Sequence, residues 1–160
     1  MGRSTNPRKF FTEEEREQIV AAVAAAENRT SGEIRLHIEG KCPVEPPLER
    51  AKQLLFHLGM DKTEQRNGVL IYLATASRRF AIVGDEGIHK VVPDNFWEDV
   101  RDLMAARFRE GEFCSGIAQG IERVGEKLRE FFPWRDDDVD ELPDEISFGK
   151  EAPGPTPDSD

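Results

Sequence analysis

Val69-Leu70-Ile71-Tyr72-Leu73-Ala74, opened by Asn67-Gly68, is the segment that most restricts what this chain can become. A strand with one wet face alternates apolar and polar residues. An uninterrupted apolar run must be covered on both faces, which places it in the middle of a sheet with helices on either side. Thr75 to Arg78 is short enough for a hairpin loop, so Phe80-Ala81-Ile82-Val83 returns antiparallel beside it, and Gly84-Asp85-Glu86-Gly87 stops it. Glu33 to Glu39 reads differently, with Ile34, Leu36 and Ile38 on one face and Arg35 and His37 on the other. That period of two predicts a half-covered strand lying toward the sheet edge.

Helical patterns fill the intervals. Thr12 and Glu15 form the two halves of a capping box ahead of Ile19, Ala22, Val23 and Ala26. Pro47 is suited to a first helical position, Leu48, Ala51, Leu54, Leu55 and Leu58 give the second helix an apolar stripe, and Gly59 stops it. Phe96, Val100, Leu103, Met104 and Phe108 mark a third helix, and Phe113, Ile117, Ile121, Val124, Leu128 and Phe131 a fourth. A helix joins the first two strands, so they should be parallel. The expected fold is α/β: a three-layer α/β/α sandwich around a small mixed sheet whose central strand is about 69–74.

The 160 residues fit one domain, expected over 1–133 and followed by an acidic tail over 134–160. The tail holds ten acids against Arg135 and Lys150. It thus carries −8 of the net −10 and leaves −2 on the body. Beyond about Gly149 its Pro- and acid-rich composition predicts disorder. A near-neutral body with an acidic tail excludes a phosphate-backbone binder, so nucleic acid is not an expected partner. Cys42 and Cys114 cannot build a disulfide framework. The apolar run Ile19 to Ala26 is too short to span a bilayer and is preceded by Glu13, Glu14, Glu15 and Glu17 rather than by basic residues. Asn6 stands where a myristoylation signal needs Ser or Thr. A cytoplasmic protein without direct membrane insertion is the expectation.

Several chemical signatures fail on inspection. A cysteine phosphatase needs Arg at a fixed spacing after its Cys, where this chain has Leu48 and Gly120. Asp61-Lys62-Thr63 follows a helix stop rather than the buried strand an aspartyl-phosphate nucleophile requires. Asp136, Asp138 and Asp140 open like a calcium loop, but Glu141 replaces its Gly and Ser147 its closing Glu. Gly84-x-x-Gly87 lacks the spacing of a phosphate loop. His37 and His57 read as structural, while His89 follows the Gly84–Gly87 turn.

Topology leaves one constellation. Parallel first and second strands with an antiparallel third bring three loops to one rim: Ser31-Gly32-Glu33, Arg66-Asn67-Gly68 and Gly84 to Gly87. Carboxylates, an amide oxygen and a hydroxyl suit a hard cation, calcium or magnesium, rather than zinc. The expected metal ligands are Asp85, with Glu33, Asn67 and Glu86 as neighbours and Asp94 as a further candidate. The same residues also read as plain turns whose acids face water, and both readings stand at this point.

Taken in order, Ser31-Gly32-Glu33-Ile34, Arg66-Asn67-Gly68-Val69-Leu70, Arg79 to Gly84 with Gly87-Ile88, and Phe108, Gly111, Phe113, Gly116 and Ile117 resemble the TPM domain family. This is the domain of thylakoid-lumen phosphatase-like and photosystem II repair proteins. The resemblance spans roughly 10–133. It implies an α/β/α sandwich, a divalent cation (often calcium) at the loop-bearing rim, and either acid phosphatase activity or a role as assembly or regulatory partner of a membrane complex. Asp85-Glu86 replaces the family's aromatic-glycine stretch, and His89 stands where Glu is common. Phe132-Pro133 and Glu141-Leu142-Pro143 resemble a soluble bacterial subgroup. The first expectation is therefore a calcium-binding interaction module, with a protein partner at a membrane-associated complex. The alternative is a metal-assisted acid phosphatase using Asp85 or His89 for protons, although only Arg66 and Lys90 stand ready to clamp phosphate.

Overall fold

The structure is a computed structural model, and it describes residues 3–134 and 146–149. The Asp136–Asp140 run, Glu141-Leu142-Pro143 and everything beyond Gly149 lie outside the described residues. Three strands follow the expected order: β1 (Glu33–Glu39), β2 (Gly68–Ala74) and β3 (Arg79–Gly84). β1 and β2 are parallel with Leu36 beside Ile71, and β2 and β3 form an antiparallel hairpin with Ile71 beside Ile82.

Helix α1 (Glu13–Glu27) carries the complete capping box: Thr12 accepts from the Glu15 amide, and the Glu15 carboxylate accepts from the Thr12 amide. Helix α2 (Pro47–His57) starts on its proline, and Gly59 takes φ +75° just past its end. A four-residue helix, α3 (Glu86–His89), interrupts the expected loop after β3. Two long helices follow, α4 (Phe96–Arg109) and α5 (Phe113–Phe131).

Alternate residues of β2 separate two cores. Val69, Ile71 and Leu73 pack with Ile19 and Val23 of α1, Val100 and Met104 of α4, and Ile117 and Ile121 of α5. Leu70, Tyr72 and Ala74 pack with Ala51, Leu54 and Leu55 of α2 on the opposite face. All seven residues of β2 are buried, as a run without polar interruption requires. The α/β/α sandwich is thereby established. The far end of α5 is tied back to the start of β1, since the Thr30 hydroxyl donates to the carbonyls of Leu128 and Phe132 and the Ser31 amide donates to Phe132.

One placement is corrected. β1 is not at the edge, because Ser147–Phe148 forms a fourth strand, β4, parallel to it, and the sheet order is β3-β2-β1-β4. All seven residues of β1 are buried, its polar ones included. The alternation of β1 arises from polar residues given polar partners rather than water. His37 Nδ1 lies 2.8 Å from Ser147 Oγ. Glu39 takes both Nε (2.8 Å) and Nη2 (2.9 Å) of Arg50, and also the Tyr72 hydroxyl. Ile146 and Phe148 add apolar contacts to the main core. Gly149 can lie over the strand because a Cβ there would come within 2.7 Å of the Glu39 Cβ.

Candidate functional site

The three rim loops meet, and specific bonds join them. Ser31 Oγ accepts from Gln65 Nε2 (2.9 Å) and Asn67 Nδ2 (3.2 Å), linking the entry of β1 to the entry of β2. The Asp85 amide donates to Gly68 (2.8 Å) and the Gly87 amide to the Arg66 carbonyl (2.8 Å), linking the exit of β3 to the same entry.

Asp85 occupies the centre of this rim. Its backbone is extended, and its side chain caps α3 by accepting from the Glu86 amide at 2.8 Å. The carboxylate is only 4 % exposed and receives both Nε (2.6 Å) and Nη2 (2.9 Å) of Arg66. Arg66 takes a positive φ of 53°, immediately before Asn67-Gly68. Donating these bonds to Asp85 raises the Arg66 guanidinium pKa above its usual value. Glu86 is largely exposed, 3.7 Å from Arg66 Nη1. Asn67 is buried, and its Oδ1 has no hydrogen-bond partner among the described residues.

The remaining sequence candidates lie differently. Glu33 is buried in register with Gly68. Asp94 is exposed on the loop leading into α4. Among the described residues, no group of three Asp, Glu, His or Cys side chains is gathered as a metal site. The rim thus offers two carboxylates around one arginine and a buried amide oxygen. These donors fit a hard dication in chemistry. They are too few to fill a shell of six to eight oxygens without backbone carbonyls and water.

Beside the rim runs a groove of about 460 Å³, lined by Leu48, Leu55, Phe56, Ile82 and Trp97 as well as by Arg66, Asp85 and His89. Phe56 is 57 % exposed at its mouth. The Trp97 indole donates to His89 Nδ1 at 3.1 Å. Neither cysteine is set up as a nucleophile. Cys42 Sγ donates to the Val44 carbonyl, and burial raises the Cys114 thiol pKa and so keeps it protonated.

Sequence reasoning missed α3 and the role of Arg66. The signal for α3 was an Asp followed directly by Glu86-Gly87-Ile88-His89, an N-cap pattern. Gly87 fixes how closely this turn approaches the rim, because a Cβ there would sit 2.0 Å from the Gln65 carbonyl oxygen and 2.5 Å from that of Arg66. Backbone cannot yield as a flexible side chain can. Gly87→Ala is therefore expected to cost about 1–3 kcal/mol and to push α3 off the β2 entry. Thermal unfolding together with amide exchange at Gly87 checks this.

A mixed four-stranded sheet with α2 on one face, α1, α4 and α5 on the other, and an acidic rim closed by an arginine defines the class of domain. The TPM domain family matches residues 4–127, and the chain belongs to that family. It is similar to the BA42 protein of the psychrophilic bacterium Bizionia argentinensis, solved by NMR, at 45 % identity and a TM-score of 0.80, over 88 % of this chain and 97 % of that one. The fold also resembles the N-terminal domain of a P. gingivalis protein, at 20 % identity and a TM-score of 0.59 over 75 % and 77 % of the two chains. An N-terminal domain from Corynebacterium glutamicum is similar at 15 % identity and a TM-score of 0.59 over 74 % of each. No match was found among curated proteins. Among the described residues, no helix is long and apolar enough to cross a membrane.

Proposed function

We propose that this TPM domain is a calcium-responsive interaction module, with magnesium as the weaker ligand. In this reading the rim takes the cation and the adjoining groove takes a protein partner, in keeping with the assembly role at a membrane-associated complex that the family resemblance implies. The observation carrying this reading is Asp85, a buried carboxylate whose counter-ion is a partly exposed arginine, together with the buried, unsatisfied Asn67 Oδ1 of the adjoining loop. Asp85, Glu86 and Asn67 would hold the ion, and Glu33 and Asp94 are the outlying candidates. Bound there, a dication supplies the positive charge that Arg66 otherwise provides. Arg66, already a third exposed, turns to solvent when released. Asp85 keeps its cap on α3 in either state, so the bond from the Asp85 amide to Gly68 is retained. Glu86 and Phe56 are the exposed groups that present the result to a partner.

Two variants separate this reading from a purely structural role. Asp85→Asn preserves the helix cap and is expected to weaken calcium binding by at least about tenfold. Arg66→Gln removes the competing cation, so calcium affinity should rise while stability without calcium falls. The readouts are calorimetry and the calcium-dependent shift in Tm, since an ion bound only by the folded state stabilises it with concentration. Unchanged affinity in Asp85→Asn removes Asp85 from the site. Absence of any calcium response in the wild type removes the site. Metal-dependent phosphate release lost in Asp85→Asn would favour the acid phosphatase instead.

A further inference from the structure

At the opposite rim of the sheet lies a second cavity of about 490 Å³, far along β2 from Asp85. Leu73 to Thr75 at the end of β2, Phe80 of β3, Phe108 of α4, Phe113 of α5 and Phe10 of the N-terminal arm enclose it. Its aromatic wall is continuous. Phe80 meets Phe108 edge-on at 4.8 Å, Phe108 stacks on Phe113 at 5.3 Å, and Phe113 meets Phe10 edge-on at 5.1 Å. Four arginines, Arg3, Arg78, Arg79 and Arg109, line the same space, and among the described residues no Asp or Glu does. That is notable in a chain of net charge −10.

Two of the arginines are neutralised. Arg3 is paired in bidentate fashion with Glu15 at 2.6 and 2.7 Å, and Arg79 with Glu45 at 3.2 Å. Arg78 and Arg109 are exposed. Arg78, with φ +56°, projects from the β2–β3 hairpin, and Arg109 is the last residue of α4. The other polar side chains of the lining are Thr5 and Thr75, and the Thr75 hydroxyl is committed to the Thr5 carbonyl at 2.5 Å.

We propose that this cavity binds a small, single-chain amphipathic anion: an acyl or aryl body against the four phenylalanines, with one carboxylate or phosphate head between Arg78 and Arg109. The volume lies within the usual 300–1,000 Å³ range of small-molecule sites, which are mostly apolar with a few placed charges. Guanidinium groups suit both head chemistries because their paired N–H donors match the oxygens of carboxylate and phosphate. This site is independent of calcium at the other rim.

The test is titration of the full chain with decanoate, decyl phosphate, decanol and inorganic phosphate, followed by amide shifts at Phe80, Arg109 and Phe113. Both decyl anions should bind saturably, and their ranking distinguishes a carboxylate from a phosphate ligand. Decanol should bind at least about tenfold more weakly, the usual weight of one charged hydrogen bond, and inorganic phosphate should not bind measurably. Arg78→Gln and Arg109→Gln, both surface changes, should each weaken the anions about three- to tenfold and leave decanol unaffected. Raising the salt concentration should weaken the anions alone. Equal affinity for decanol and decanoate, an unchanged double variant, or binding to anionic vesicles with no binding of the free anions would each overturn the proposal.

Discussion

Ile71→Asp is expected to unfold the domain or to leave a loosely packed remnant without a cooperative transition. Ile71 is fully buried at the centre of β2, paired with Leu36 on one side and Ile82 on the other. Its side chain faces the larger core, where α1, α4 and α5 converge. No basic or hydrogen-bonding partner is available among those apolar neighbours. An unpaired carboxylate there costs several kcal/mol even after it takes up a proton, against a typical total stability of about 5–15 kcal/mol. Ile71→Val, which removes one methylene, should cost only about 0.5–1.5 kcal/mol and serves as the control for position. Circular dichroism during heating measures both. A wild-type Tm in Ile71→Asp would mean that β2 is not the central strand.

Legibility followed the physics of each segment. β2 was readable because burial on both faces forbids polar interruption, and the helices because their caps and stripes are local. β1 was read as half-wet, and the error is instructive. His37 and Glu39 look like part of a solvent face until Ser147, Arg50 and Tyr72 are brought to them from distant parts of the chain. Only tertiary structure supplies such partners. The two residues of β4 lie in an otherwise acidic stretch and carry too little pattern to announce a strand. At the rim, the meeting of three loops followed from strand direction alone. What the sequence hid was charge pairing: Arg66 and Asp85 are nineteen residues apart, and nothing local marks them as partners. The arginine-lined cavity was equally hidden, because its four guanidinium groups come from the N-terminal arm, a hairpin and a helix end.

Glu39→Leu is the second change expected to act strongly, and through polar rather than apolar loss. Glu39 is 5 % exposed, yet it satisfies three donors: Nε and Nη2 of Arg50 and the hydroxyl of Tyr72. Tyr72 is fully buried against α2, and burial first, then its bond to Glu39, raise the phenol pKa far above its ordinary value, so it stays a donor. Without the carboxylate that donor is left with the weaker sulfur of Cys42, and Arg50 loses its counter-ion. Breaking a buried pair by removing one partner costs about 3–5 kcal/mol, and part of this is relieved because Arg50 is 24 % exposed and can reach water. The cost should therefore concentrate on Tyr72. Glu39→Leu combined with Tyr72→Phe removes donor and acceptor together and should recover about 1–3 kcal/mol relative to Glu39→Leu alone. Denaturant unfolding of the two single variants and the double variant measures this coupling. Simple additivity would mean that the hydroxyl finds another acceptor and that the network is not what holds α2 to the sheet.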